Sequence, residues 1–316
     1  MVAKAWGSQT RPTEEVFFQD DGVSLCLLVN PRARTMRVID FRAGPSAAKR
    51  VSVLSFARRE GLEKIFTVVE RDEVATWVRM GFTKEGSIPG FYKRSDAFLL
   101  GRSSRVESKE SEEDPPLQSE TRIAVSESPA PMGAITPSQT RMERTLLLAK
   151  VLAKKWPKEA SQKHPPKIAS VNEDVARSAV ASACRSGRAL CAFEPFGRGG
   201  VRRYFVTTTR GGFELHMAIE SQACFANAYL ELLQSPRTEA DTLATSGAVG
   251  AFCNALQEEG IVSCFSLAPS DDIALSAVFL QNGFRRTGLL IDHLRLGETR
   301  KDAIVWSRKL ANPRED

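Results

Sequence analysis

The feature that most restricts how this chain can fold is a spacing pattern that occurs twice. In the first half, Gly61 and Gly81 bracket a continuous apolar run, "EKIFTVVE", and a short helical run, "RDEVATWVRMGF". In the second half, Gly260 and Gly283 bracket "IVSCFSLAP" and "SDDIALSAVFLQNGF". Phe follows the second glycine each time, as Phe82 and Phe284. Gly86 follows Gly81 by the interval that separates Gly288 from Gly283, and an Asp-Ala pair, Asp96-Ala97 or Asp302-Ala303, is expected to open each final strand. A fixed order of turn glycines and apolar runs, repeated far apart, predicts a duplicated supersecondary unit. The mixture of strands and helices inside each copy predicts an α/β (α+β) class. Two tandem domains are expected, each a mixed, mostly antiparallel sheet flanked by helices.

The rest of the chain divides around that repeat. "VSLCLLVN" and "RTMRVIDF" are β-rich runs joined by "PRAR", which predicts a hairpin. "AAKRVSVLSFARREG" has helical spacing, with Val51, Leu54, Phe56 and Ala57 placed inward and Gly61 as the stop. From 103 to 137, Ser, Glu and Pro dominate and aromatics vanish, which predicts a flexible linker. An amphipathic helix with a basic back follows, capped by Ser138, with Met142, Thr145, Ala149, Leu152 and Trp156 on one face. It offers a face to a neighbouring domain or to a protein partner over 138–156. The expected division is a truncated first domain at 1–102, the linker at 103–137, the helix and connector at 138–166, and a second domain at 167–316. In that last part Asn172 is the predicted cap of a helix, "ALCAFEPF" a predicted strand and "FGRGGVRR" a predicted glycine-rich hairpin turn.

The 316 residues carry a net charge of +6, with basic residues spread through both halves rather than gathered in one block. That charge suits an anionic partner; a phosphorylated cosubstrate fits it, and no nucleic-acid-binding motif accompanies it. The six cysteines form no C-x-x-C pair and are expected to act as small buried hydrophobes. Three separated histidines give no zinc pattern, so no metal is expected. No run of eighteen apolar residues and no secretory h-region occurs, so the chain is expected in the cytoplasm, without a membrane partner.

The order strand, helix, buried strand, helix ending in Gly-Phe, strand resembles that of the Gcn5-related N-acetyltransferases. "IPGFYKRSDAFLL" is also similar to the end of β-lysine acetyltransferase-type members. The resemblance covers about 16–101 and, less clearly, 168–310. It implies acetyl-CoA as cosubstrate, lying where two central strands diverge. The pyrophosphate would meet backbone N–H groups at a helix start, and the acceptor would be an amine on a small molecule or a lysine side chain.

The chain departs from that pattern where the chemistry would be. The phosphate loop of the first copy would be "RAGPSAAKR", with Arg42, Gly44, Ser46, Ala47 and Ala48 at the helix start and Lys49 and Arg50 as cations. The equivalent place in the second copy, "SPRTEADTLATSG", carries Glu239 and Asp241, which would repel a phosphate. The family's tyrosine acid is replaced by Trp77 and by Phe279. Tyr92 is the candidate substitute. Asp40 is the candidate base of the first copy and Glu231 that of the second. No helical pair of the kind the resemblance implies for the amine side of the cleft is expected before "VSLCLLVN". Two functions follow from the resemblance: an N-acyltransferase using acetyl-CoA, or an inactive derivative serving as an acyl-CoA-sensing or protein-interaction module.

Overall fold

The computed structural model describes residues 13–20, 23–40, 46–104, 136–156, 167–190, 196, 200–208, 214–296 and 299–311. The first half contains β1 (Glu14–Asp20), β2 (Val23–Asn30), β3 (Thr35–Asp40), α1 (Ala47–Arg59), β4 (Lys64–Val69), α2 (Val74–Arg79), β5 (Thr83–Ile88) and β6 (Ala97–Ser103). The second begins with α3 (Pro137–Lys155), β7 (Lys167–Val171) and α4 (Glu173–Arg185), then β8 (Val201–Thr208), β9 (Glu214–Gln222) and β10 (Asn227–Leu232). It ends with α5 (Glu239–Glu258), β11 (Ser263–Pro269), α6 (Ile273–Gln281), β12 (Arg285–Leu296) and β13 (Thr299–Lys309).

All of these strands join one sheet in the order β1-β2-β3-β4-β6-β5-β12-β13-β11-β10-β9-β8-β7. The order reads as a palindrome about the β5–β12 junction, with β7 as the one extra strand. β3 is parallel to β4 and β10 to β11; the other neighbours are antiparallel. The repeat legible in the sequence is therefore a repeat in space, and its two copies meet edge to edge.

Residues equivalent in the two copies do equivalent work. Gly61, Gly81, Gly260 and Gly283 all have positive φ at helix ends, where a Cβ is penalised. Phe82 packs edge-on against Trp77 and Phe284 against Phe279, with ring centroids 4.9 and 5.2 Å apart. Asp96 accepts the amide of Gly90 at 2.9 Å, and Asp302 accepts that of Asp292 at 2.9 Å. Gly90 and Asp292, at φ 66° and 50°, each lie four residues beyond a junction glycine. The Asp-Ala pairs are thus turn locks. Ala97 does begin β6, but Asp302 lies inside β13, which starts at Thr299.

The junction itself is glycine on glycine. Gly86 pairs with Gly288, and in each copy a register shift falls one residue earlier, at Glu85 or Thr287. A Cβ on Gly288 would stand 2.5 Å from the Gly86 Cα and 2.7 Å from the Glu85 carbonyl oxygen. Only the absence of both side chains lets these backbones close.

One face of the sheet packs on α1 and α2 in the first half and on α3, α5 and α6 in the second. The other face carries α4 and a cluster shared by the halves, in which Phe66, Val68, Phe91 and Leu99 meet Phe196, Tyr229, Phe265 and Leu290. Several local expectations are revised. Val51 is 61% exposed, and α1 instead buries Lys49, Val53, Leu54 and Ala57, because its core-facing stripe is rotated. Helix α3 starts earlier than expected, capped by Thr136 in a reciprocal box with Gln139; the expected face, including Met142, Ala149 and Trp156, does enter the core of the second half. Of the "ALCAFEPF" strand, only an isolated bridge between Ala189 and Gln234 forms among the described residues. Cys26, Cys253 and Cys264 are buried but Cys184 and Cys224 are exposed, and Cys191 lies outside the described residues. β1 and β7 were not foreseen as strands; both are edge strands of the sheet. No described helix is long and apolar enough to cross a membrane.

Candidate functional site

Each copy holds one place where parallel strands part. β3 and β4 pair from Thr35–Lys64 to Val38–Thr67, where the Thr67 hydroxyl donates to the Val38 carbonyl at 2.8 Å. Beyond that, β3 runs on to Asp40 and β4 to Val69 without pairing to one another. β10 and β11 pair only from Asn227–Ser263 to Tyr229–Phe265 before they diverge. Such a divergence leaves strand-edge N–H and C=O groups for an extended ligand to pair with.

The helix starts above the two clefts differ. In α1, Ser46 is the N-cap, its hydroxyl accepting the Lys49 amide at 3.4 Å; Ala47 and Ala48 follow in an exposed first turn that holds no acidic residue. First-turn amides have no acceptor within a helix and suit an anion. In α5, Thr238 and Asp241 form a reciprocal capping box, and the Asp241 carboxylate also accepts the Arg237 amide at 3.1 Å. With Glu239 beside it, this start is neutralised from within. Arg42 and Gly44 lie outside the described residues, and Arg50 is half-buried.

Asp40 and Lys49, expected to serve different ends, are bound to each other. Their charged atoms stand 2.6 Å apart, with side chains 5% and 4% exposed. The ammonium is committed to the end of β3, where the carboxylate holds it. Glu231 is also paired: with Glu220 it shares the Arg202 guanidinium, and Glu220 further accepts the Phe196 amide at 2.8 Å. Register shows that the two carboxylates are not counterparts. Glu231 occupies the place of Ile39, and Asp40 that of Leu232, on the opposite face.

Trp77 and Phe279 are buried, edge-on to Phe82 and Phe284, and carry no acid role. Tyr92 is half-buried in the β5–β6 turn, and its hydroxyl donates to the Val68 carbonyl at 3.4 Å. Val68 is the first β4 residue past the last parallel pair, so the hydroxyl lies at the mouth of the divergence. Burial pushes the Tyr92 pKa up to about 12, partly offset by the nearby Arg37 guanidinium. On the rim, partial burial also raises the Glu73 carboxyl, and Asp72, Asp40 and Glu70 add to that.

Three contributors escaped the sequence reading. Arg37 donates to the Phe196 carbonyl and lies over its ring at 5.1 Å, while Phe225 meets Tyr92 edge-on at 5.2 Å. Phe196 and Phe225 belong to the second half, so no local signal could have placed them at a cleft of the first. Among the described residues, no group of three or more His, Cys, Asp or Glu is arranged to hold a metal.

No family model matches the sequence, and no curated protein matches it. Among solved structures, the chain is similar to spermidine N-acetyltransferase from Vibrio cholerae, crystallised with CoA and spermine. That match has 8% identity and a TM-score of 0.38, and covers 47% of this chain and 97% of that one. It is also similar to the ribosomal-protein-S18-alanine N-acetyltransferase of Escherichia coli, at 15% identity and a TM-score of 0.36, covering 46% of this chain and 94% of that one.

Proposed function

We propose that this chain is an acetyl-CoA-dependent N-acyltransferase whose chemistry is confined to the first cleft. The observation that carries the proposal is the α1 start: an acid-free first turn, exposed at Ala47 and Ala48, just beyond a pair of diverging parallel strands. The pyrophosphate would be held by those amides, with Arg50 in the same turn and Arg42 and Gly44 preceding it in the sequence. The amine of a small compound or a lysine side chain would attack the thioester carbonyl. A C–N bond forms, the C–S bond breaks, and the proton lost by nitrogen ends on sulfur.

Tyr92 is assigned as a hydrogen-bond donor rather than a proton donor. With a pKa of about 12 it stays protonated at neutral pH. Full transfer to a thiolate whose conjugate acid has a pKa near ~8.5 would be uphill by roughly 5 kcal/mol. Asp40 already engages Lys49, so the reading gives it the amine proton only through water. The Asp40–Lys49 pair also fixes the first turn of α1 to the end of β3.

The second reading is a non-catalytic module that senses acyl-CoA or binds a protein. It is favoured by the commitment of Lys49 and by the burial of Trp77 and Phe279 where a tyrosine acid would stand. The outward face of α3, with Leu147, Leu148 and Val151 exposed, would then serve the partner. One experiment separates the two: acetyl-CoA is added to the purified protein, the thermal midpoint is followed, and CoA release is measured with a panel of amines. The enzyme reading expects a stabilised protein and CoA release. Stabilisation without turnover supports the sensor, and no stabilisation at millimolar acetyl-CoA removes both coenzyme readings.

A further inference from the structure

The mouth of the first cleft is held in place by the second half. The turn that carries Tyr92 is tight: its amide donates to the Ser95 carbonyl at 3.1 Å, and Lys93 has φ 67°. Two side chains of the other half anchor this turn. The Asn227 amide donates to the Phe91 carbonyl at 2.7 Å, and the Ser263 hydroxyl donates to the Pro89 carbonyl at 2.7 Å. Asn227 and Ser263 are themselves the first paired residues of the β10–β11 parallel pair, and both are buried. Phe225, in the short turn just before β10, completes the support from the side.

The reciprocal contact exists but presents different chemistry. Arg300 of the β12–β13 hairpin donates to the Ala33 and Arg34 carbonyls at 2.6 and 3.0 Å and pairs with Glu63 at 2.6 Å. Counting from the junction glycines, the counterpart of Tyr92 on that hairpin is Leu294. Each half therefore clamps the final hairpin of the other, and at this position the hairpin clamped by Asn227 and Ser263 carries a hydroxyl where the other carries the Leu294 side chain.

We propose that Asn227 and Ser263 are positioning residues for Tyr92, so that the second half serves the reaction by holding the hydrogen-bond donor of the first cleft. This rests on the acyl-transfer reading for its kinetic consequence, though not for its structural one. The energetic logic is that of preorganisation: a donor displaced by about 1 Å loses most of its effect on a developing charge.

The test uses the full chain and four variants, Asn227→Asp, Asn227→Ala, Ser263→Ala and Ser263→Thr. Asn227→Asp keeps the shape but cannot donate to the Phe91 carbonyl, and Ser263→Thr keeps the hydroxyl. Carbon-13 label at tyrosine Cζ gives a spectrum with three tyrosines, Tyr92, Tyr204 and Tyr229, which Tyr92→Phe assigns. The Tyr92 resonance is expected to move in Asn227→Asp, Asn227→Ala and Ser263→Ala, to stay in Ser263→Thr, and the Tyr204 resonance to stay throughout. With a competent amine, kcat is expected to fall on the order of tenfold in the first three variants while KM for acetyl-CoA holds. A Tyr92 resonance unmoved by all four variants overturns the positioning role, whether or not the protein turns over. Loss of kcat and KM together, equal in Ser263→Ala and Ser263→Thr, also overturns it. If the variants show the resonance shifts but the wild-type protein releases no CoA, the clamp is retained and the enzyme reading is lost.

Discussion

At the start of their parallel pairs the two halves solve one packing problem in two ways. In the first half, Lys64 on β4 meets Glu85 at the bulge of β5, their charged atoms 2.6 Å apart and both side chains buried, with Gly101 of β6 leaving the room. Burial drives both toward neutrality, lowering the Lys64 ammonium and raising the Glu85 carboxyl, and their mutual attraction opposes it. In the second half the counterparts are Ser263, Thr287 and Ser307; the last two hydroxyls bond each other at 3.0 Å, and Ser263 turns to the other half. A buried ion pair is costly to break but no better than a well-paired neutral set. The difference therefore marks two equivalent solutions carried on one backbone.

The strongest way to break the symmetry is at the junction. Gly288→Val and Gly86→Val each press a side chain onto backbone, where nothing flexible can yield. Each is expected to cost more than about 4 kcal/mol and to leave little folded protein by circular dichroism. If one of the two is tolerated, the junction is not symmetric. Next comes the ion pair: Lys64→Met is expected to cost about 3–5 kcal/mol, by leaving the Glu85 carboxyl buried without its partner. The triple change Lys64→Ser, Glu85→Thr, Gly101→Ser installs the other half's solution and is expected to recover most of that in denaturant unfolding.

The helix starts offer a finer comparison. Ala48→Glu puts into α1 the kind of charge that α5 already carries. It is expected to abolish stabilisation by acetyl-CoA, about 2.7 kcal/mol at a hundred times the Kd, while leaving the midpoint of the free protein nearly unchanged because Ala48 is exposed. A full coenzyme response in this variant would place the phosphates elsewhere.

The smallest of these effects concerns His293, the counterpart of Phe91. Burial, with the Lys64 and Arg300 charges, lowers its pKa to about 3. An unfolded histidine titrates near ~6.5. Between those values the unfolded chain binds the extra proton, so stability is complete above the upper value and declines as pH falls toward the lower one. From pH 7 to 5 the expected loss from this residue is about 2 kcal/mol. His293→Phe, which copies the first half, should remove that share of the slope in unfolding measured against pH.

Much of the fold was legible because the signals are local. A glycine that must take positive φ, an apolar run covered on both faces and a capping Asn172 each act over a few residues, and each was found where expected. The site was less legible for the opposite reason. Ser46, Ala47 and Ala48 could be placed at a helix start from sequence, but that Lys49 would spend its charge on Asp40 depends on how α1 turns over β3. Trp77 and Phe279 could be recognised as lacking an acid function, yet nothing in "GFYKR" said that the Tyr92 hydroxyl reaches β4.

The sequence by itself determined that the chain holds one unit twice, because turn geometry and burial periodicity are written into consecutive residues. Only the tertiary structure decided that the two copies fuse through Gly86 and Gly288 into a single sheet, and that each grips the hairpin of the other. Those contacts join residues more than a hundred positions apart. Their energy comes from the exclusion of water between faces that no single segment possesses.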